Sequence, residues 1–264
     1  MSSDLTDYYR GSSEYRAMLA EQDESLFGQY LSYFRRWGER GARVLDVGCG
    51  IGTSTRLLRE AGFDAVGADT SARFLPDEPG FFVADFARRT DLQDGAFAAA
   101  GALNVLEHVA DPRAFLDELV RVVRPGGLVV ICSPNLTSPL VGARILVDLS
   151  SGRTPYLGVR SRRTALALLA RNVGRSAVAA LGRDAFAPRE HTLASGVVGY
   201  DADATYWSNA AEVRRRLEAL GCELISYQGE GRTRPARLIA RLLPSFAGQL
   251  AIVARVGSSA PDRM

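Results

Sequence analysis

The chain has 264 residues, with 32 basic and 30 acidic side chains and a formal net charge of +2. All 32 basic residues are arginine, which excludes a lysine Schiff base, a lysine general base and a P-loop lysine. A hydrophobic fraction of 47% and a charged fraction of 23% belong to an ordinary folded protein, and the small net charge gives no global pull toward nucleic acid.

The N-terminal stretch is polar and acidic, without a signal-peptide pattern, and no run reaches the ~18 apolar residues of a membrane span. A cytoplasmic protein is therefore expected. Cys49, Cys132 and Cys222 each sit in an apolar run and read as buried thiols. With only two histidines and no ligand spacing among the cysteines, no metal is expected.

In chain order, residues 1–40 read as an N-terminal helical cap. Arg43 to Val47 is a short buried strand, followed by a glycine cluster and a helix from Thr53 to Ala61 that Gly62 ends. A second strand runs from Asp64 and ends at Asp69, and a third, Gly80 to Ala84, ends at Asp85. Phe97 to Leu103 reads as a fourth, although its alanines are poor strand formers. Pro112 to Val123 has helical apolar spacing, Arg124-Pro125-Gly126-Gly127 breaks it, and Leu128 to Cys132 is an apolar strand.

Residues 136–205 lack clear strands and show one helical stretch, near Arg162 to Val173. A helix from Glu212 to Leu220, a strand from Cys222 to Tyr227 and a strand from Gln249 to Val256 follow, with a loose tail at 257–264. The alternation of strand and helix predicts an α/β fold with a parallel sheet covered on both faces. The expected organisation is a single domain over 1–256: a cofactor-binding half (41–135), an inserted substrate lid (136–205) and a C-terminal part of the sheet (206–256). A structureless loop of that length is implausible, so the insertion should fold over something.

The richest segment is Asp46-Val47-Gly48-Cys49-Gly50-Ile51-Gly52-Thr53. Its glycines let the backbone turn and approach a ligand, and the following helix presents N–H groups there. Thr53 and Thr55 stand where a dinucleotide fingerprint needs glycine, and no Gly-Lys-Ser/Thr is present. Acids recur at successive strand ends. Asp69 is placed to accept from ribose hydroxyls, and Asp85 to accept from an exocyclic amine while Phe86 packs on a ring. A tight turn with helix caps is the bland alternative.

These segments resemble the class I S-adenosylmethionine-dependent methyltransferases, in the small-molecule branch that includes the ubiquinone-biosynthesis type. The resemblance rests on Val44–Thr53, Val66–Asp69, Leu103-Asn104-Val105-Leu106-Glu107-His108-Val109 with Asp111-Pro112, and Arg124-Pro125-Gly126-Gly127 through Ser133-Pro134-Asn135. Phe97-Ala98 replaces the family's usual aromatic-Asp pair. The resemblance implies a Rossmann-like seven-stranded sheet, mostly parallel with its last strand antiparallel. It implies S-adenosylmethionine as cofactor, with S-adenosylhomocysteine as product. Gly48, Cys49, Gly50 and Gly52 would hold its methionine portion, Asp46 the loop and the ammonium group, and Asp69 with Thr70 the ribose. Asp85 and Phe86 would hold the adenine, Asn104 would line the site, and Tyr9 in the run Tyr8-Tyr9-Arg10 would fold over it; a surface helix is the alternative for that run.

The expected function is methylation, chiefly at oxygen, of a small natural-product, sugar or lipid-linked acceptor. Nucleic-acid methylation, N-methylation and a non-catalytic cofactor binder are the alternatives. The modest charge and the missing Asn/Asp-Pro-Pro-aromatic motif speak against the first. His191, beside Glu190, and His108 are the candidate bases. Tyr206, Trp207 and Arg160 are candidate acceptor contacts. The mixture of acids and aromatics from Tyr200 to Trp207 suits sugar or polyol recognition, or a capped helix start. Residues 136–205 hold nine arginines against five acids, which points to that insertion for any anionic acceptor group. Arg234 to Leu243 has helical apolar spacing and could pack on the sheet, pair with a second subunit or touch a membrane surface. Monomer and homodimer both remain open.

Overall fold

The computed structural model describes residues 17, 19–20, 26–153, 155–182, 187–190, 201–230, 238, 242–243 and 246–258, without the side chains of 180 and 228–230. Its centre is a seven-stranded sheet in the order β3-β2-β1-β4-β5-β7-β6. The strands are β1 (Arg43–Val47), β2 (Asp64–Asp69), β3 (Phe81–Val83), β4 (Phe97–Leu103), β5 (Val123–Pro134), β6 (Cys222–Glu230) and β7 (Gln249–Val256). Strand β7 runs antiparallel to β5 and β6, while β1 to β5 pair in parallel. The Rossmann-like expectation, with its antiparallel last strand, is met.

Helices α1 (Gly28–Trp37) and α2 (Thr53–Glu60) cover one face of the sheet, where Tyr30, Phe34 and Leu58 are buried with Val44, Ala99 and Val130. Helices α3 (Pro112–Arg121) and α6 (Ala210–Ala219) belong to the opposite layer, where Phe115, Leu119, Val213 and Leu217 meet Leu45, Ala100 and Ile131. Asp111 starts α3 as an N-cap, accepting from the backbone N–H groups of Arg113 and Ala114 at 3.1 and 3.0 Å, with Pro112 in the first turn.

The alanine-rich β4 is a central strand, flanked by β1 and β5. A Cβ added at Gly101 would lie 2.3 Å from Tyr30 Oη and 2.7 Å from Phe34 Cζ. Helix α1 therefore lies directly on this strand at Gly101, where no side chain fits whatever its strand propensity. Strand β5 is longer than the expected Leu128 to Cys132. The chain is already extended at Val123, which pairs with Phe97 before a register shift, so the Arg124-Pro125-Gly126-Gly127 segment lies inside the strand.

Residues 136–205 contain more helix than expected: α4 (Pro139–Ser150) and a longer α5 (Arg162–Ala180), with a 3₁₀ turn at Tyr156–Gly158. Helix α4 is apolar around most of its circumference and so lacks a clear amphipathic signature. The two helices pack through a third core containing Leu136, Val141, Ile145, Tyr156 and Leu168. Buried Asn172 fastens α5 to the main domain, donating to the carbonyls of Leu136 and Ser138 at 2.9 and 3.0 Å. Among the described residues, no helix is long and apolar enough to cross a membrane. The 234–243 segment lies largely outside the described residues; Leu238, Leu242 and Leu243 are described and exposed.

Candidate functional site

The order of strands reverses between β1 and β4, which leaves a crevice beyond their C-terminal ends. A cavity of about 510 Å³ occupies that crevice. The glycine loop, Asp69 with Thr70, Asp85 with Phe86, Asn104, and the His108-to-Asp111 turn line it.

Gly48 follows β1 with φ +72 and donates to the Ala68 carbonyl at 2.7 Å. A Cβ there would lie 2.2 Å from Val105 Cγ2, so the loop passes directly under the segment that follows β4. Behind it, Asp46 is 1% exposed and accepts from Tyr30 Oη at 2.8 Å, Ser54 Oγ at 2.6 Å and Thr55 Oγ1 at 2.7 Å. Burial raises the Asp46 carboxyl above its ordinary value, although all three hydroxyls oppose it. This carboxylate ties α1 and α2 to the loop. Its partners could not be read from the loop motif, because Tyr30 lies on an N-terminal helix and Thr55 registered only as a missing glycine.

Asp69 Oδ2 accepts from the Gly50 N–H and Oδ1 from the Ser71 N–H, both at 3.0 Å. Burial raises its carboxyl, against the bonds from Ser71, Gly50 and Thr70. Asp85 bonds the Ala87 N–H at 3.0 Å, and Phe86 packs edge-on against Phe115 at 6.4 Å between ring centroids. Asn104 holds a left-handed backbone at φ +53, with its N–H on the Cys132 carbonyl at 2.8 Å. Cys49 is buried beside the loop, and burial raises its thiol far above the usual range.

The far end of the cavity joins two distant stretches of chain. A 3₁₀ turn, Leu106–His108, follows β4, and the Glu107 carbonyl accepts from the N–H groups of Thr205 and Tyr206 at 2.8 and 3.1 Å. His108 Nε2 lies 3.7 Å from Glu107 Oε1, and His108 Nδ1 lies 3.4 Å from Asp203 Oδ2. Asp201, with φ +56, accepts a hydrogen bond from Tyr156 Oη. Burial works against the His108 imidazolium, but Asp203, Glu107 and Asp201 outweigh it and hold the imidazole above its ordinary value. Burial also raises Glu107 and Asp201, against the pull of His108. Donor atoms of Glu107, His108 and Asp201 lie within 4.8 Å of one another, close enough to converge on one hydroxyl, ammonium or cation.

Other expected contacts lie elsewhere. Tyr206 is 1% exposed in the core and bonds Glu212 at 2.9 Å. Trp207 lies under the guanidinium groups of Arg171, Arg175 and Arg189, at 4.5, 5.0 and 5.6 Å from its ring, beside a separate cavity of about 260 Å³. Arg160 is exposed. None of the three is among the residues lining the main cavity. His191 and Tyr9 lie outside the described residues.

Among the described residues, no arginine of the insertion lines the cavity. Of the insertion's described residues, only Asp201 and Asp203 line it. Arg144 stacks on Tyr156 at 4.2 Å, and Arg189 donates to the carbonyls of Ala202 and Ala204 at 3.3 and 2.6 Å. Composition flagged the acids between Tyr200 and Trp207, but no local pattern could show that they close on His108.

The family described as the methyltransferase domain matches residues 19–227. The chain belongs to that family. Among curated relatives of this methyltransferase-domain protein, the 2-methyl-6-phytyl-1,4-hydroquinone methyltransferase of Synechocystis is 36% identical over 104 residues, 36% of this chain and 33% of that one. The ubiquinone biosynthesis O-methyltransferase of Cereibacter sphaeroides is 37% identical over 109 residues, 36% of this chain and 42% of that one. The matched stretch thus spans less than half the length of these relatives. The crystal structure of the magnesium protoporphyrin IX methyltransferase of Synechocystis shares the fold, with a TM-score of 0.58, 15% identity and coverage of 97% of this chain and 100% of that one.

Proposed function

We propose that the protein transfers a methyl group from S-adenosylmethionine to an oxygen of a small-molecule acceptor. The observation that carries this reading is the joining of the glycine loop, Asp69, and Asp85 with Phe86 along one crevice at the strand ends. The donor set suits such a cofactor. Gly48 lets the loop pass close against Val105 along the cavity wall, and Asp69 and Asp85 offer carboxylates to hydroxyls and an amine. An acidic cavity also suits a cofactor that carries ammonium and sulfonium charges. The quinone-related relatives support a small acceptor and, through the ubiquinone biosynthesis O-methyltransferase, transfer to oxygen.

The cofactor, when bound, supplies a methyl group on sulfonium sulfur that needs no further activation. The chain's residues align the acceptor and exclude water. His108, the imidazole on the cavity wall, would take the proton that the acceptor hydroxyl loses on methylation. The domain division follows this reading: residues 41–135 bind cofactor, and the 201–203 end of the insertion borders the acceptor. The acidic wall opposes a phosphate backbone, which disfavours a nucleic-acid acceptor.

Titration calorimetry with S-adenosylhomocysteine should show saturable binding, and its absence at millimolar concentration would refute the reading. Asp69→Ala removes charge-assisted hydrogen bonds to the cofactor and should weaken that binding by about 2–3 kcal/mol, roughly 30- to 150-fold. The pH profile tests His108. Its raised value means that the neutral, proton-accepting form appears only above the ordinary histidine range, so kcat/KM should climb with pH through an inflection above ~6.5. His108→Gln should remove that inflection along with most turnover, while S-adenosylhomocysteine affinity stays near wild type. Retention of the inflection in the variant would exclude His108 as the base.

A further inference from the structure

The acidic end of the cavity has a feature that methyl transfer alone does not require. Three carboxylates, Glu107, Asp201 and Asp203, surround one imidazole, and two of them come from a segment remote in sequence. Glu107 is wholly buried, and its Oε1 has no hydrogen-bond partner among the described residues, although Oε2 accepts from Ser133 Oγ at 2.9 Å. A buried carboxylate oxygen without a donor is costly, and here it points toward His108 on the cavity side. His108 Nδ1 is likewise buried and unsatisfied.

Arg189 and Arg144 offset part of this charge from behind, but neither lines the cavity to meet an incoming ligand. Arg189 spends its guanidinium on the carbonyls of Ala202, Ala204 and Leu157 and lies over Trp207. Arg144 stacks on Tyr156. Arg88 is exposed at the opposite, Asp85 end of the cavity.

We propose that Asp201, Asp203 and His108, backed by Glu107, form an acceptor subsite that takes a neutral or cationic hydroxyl- or amine-bearing molecule, of the polyol or amino-alcohol class, and rejects carboxylates and phosphates. The reading rests on the methyltransferase function proposed above and adds the acceptor's charge and hydrogen-bonding character. Acceptor hydroxyl or ammonium groups donate to the Asp201 and Asp203 carboxylates, and one hydroxyl is thereby brought to His108. An anionic group at the same place would face like charge in a partly desolvated cavity, with no free guanidinium from the described part of the insertion to meet it.

The test uses the full chain loaded with S-adenosylhomocysteine and observes the imidazole resonances by NMR. With two histidines in the chain, His191→Gln assigns them. The probes are Tris, a small polyhydroxy ammonium ion, and phosphate and acetate, at constant pH and ionic strength. Tris should shift the His108 resonances saturably in the millimolar range, whereas phosphate and acetate should not. Asp203→Asn, and separately Asp201→Asn, should raise the Tris half-saturation point by about tenfold, the weight of one charge-assisted hydrogen bond. The wild-type comparison of probes stands even where a variant fails to fold.

Saturation by phosphate or acetate at lower concentration than Tris would overturn the proposal, as would no saturable Tris response or one unchanged in both variants. A micromolar response to magnesium or manganese that Tris does not compete with would also overturn it, by making the cluster a metal site. Binding of S-adenosylhomocysteine, measured on the same sample, separates the two failures. If it binds and Tris does not, only the acceptor subsite is wrong; if it does not bind, the methyltransferase reading itself fails.

Discussion

Gly48→Ala should abolish measurable cofactor binding and lower stability, from one added carbon. The new Cβ would sit 2.2 Å from Val105 Cγ2 and 2.9 Å from Cγ1. Neither group can yield freely, since Val105 leads into the turn whose next residue, Leu106, is completely buried. The residue would also have to hold φ +72, where a side chain costs about 1–2 kcal/mol. Overpacking adds about 1–3 kcal/mol, so the whole penalty is roughly 2–5 kcal/mol, taken as a displaced loop or a less stable fold. Pairing it with Val105→Ala removes both methyl clashes and should recover the packing part but not the backbone part. Calorimetry for affinity and urea denaturation for stability would separate the two. A single variant that binds like wild type would show that the loop does not pass under Val105 as described.

Arg121→Ala should cost about 3–5 kcal/mol of folding stability, because it strips the partner from a buried carboxylate. Arg121 and Glu118 side chains are 2% and 5% exposed. The guanidinium donates to Glu118 at 2.7 Å through Nε and 2.6 Å through Nη2, to the Leu92 carbonyl at 2.7 Å, and to Asp94. Glu118 also accepts from the Thr90 N–H and hydroxyl at 2.8 and 2.6 Å. The pair therefore holds the 90–94 loop, which follows the Asp85 end of the cavity.

Burial pushes the Glu118 carboxyl up, but Arg121 and Thr90 outweigh it and hold the group below its ordinary value. A carboxyl depressed in the folded state contributes stability above its unfolded pKa and loses it as pH falls through the folded value. The gap between wild type and Arg121→Ala should accordingly narrow on acidification below the usual glutamate range. Replacing both residues, as Glu118→Leu with Arg121→Met, should cost less than Arg121→Ala alone, because no lone charge remains buried. Urea denaturation at neutral and acid pH measures all of this; a loss under ~1 kcal/mol for Arg121→Ala would place the pair among weakly contributing surface ion pairs.

Legibility from sequence followed the range of the interactions. Strands ending in Asp69 and Asp85 are local apolar runs bounded by turn residues, and they fall within a residue or two of expectation. Helix α4 escaped because its polar and apolar residues do not sort by face: Val147 is exposed while Asp148 is buried. Gly101 in the alanine-rich β4 has its reason only in three dimensions, where Tyr30 and Phe34 lie on it.

What the chain determined by itself was the order of strands and helices, the glycine loop and the exclusion of lysine chemistry, because each depends on residues close together in sequence or on composition. Only the tertiary structure decided the charge at the His108 end of the cavity. Nine arginines in the insertion suggested a positive wall, yet the described ones stack on aromatic rings, bond carbonyls, pair with acids or face solvent, while Asp201 and Asp203 reach the cavity. Composition counts charges, whereas recognition depends on which of them the packing turns toward a ligand and which it satisfies internally.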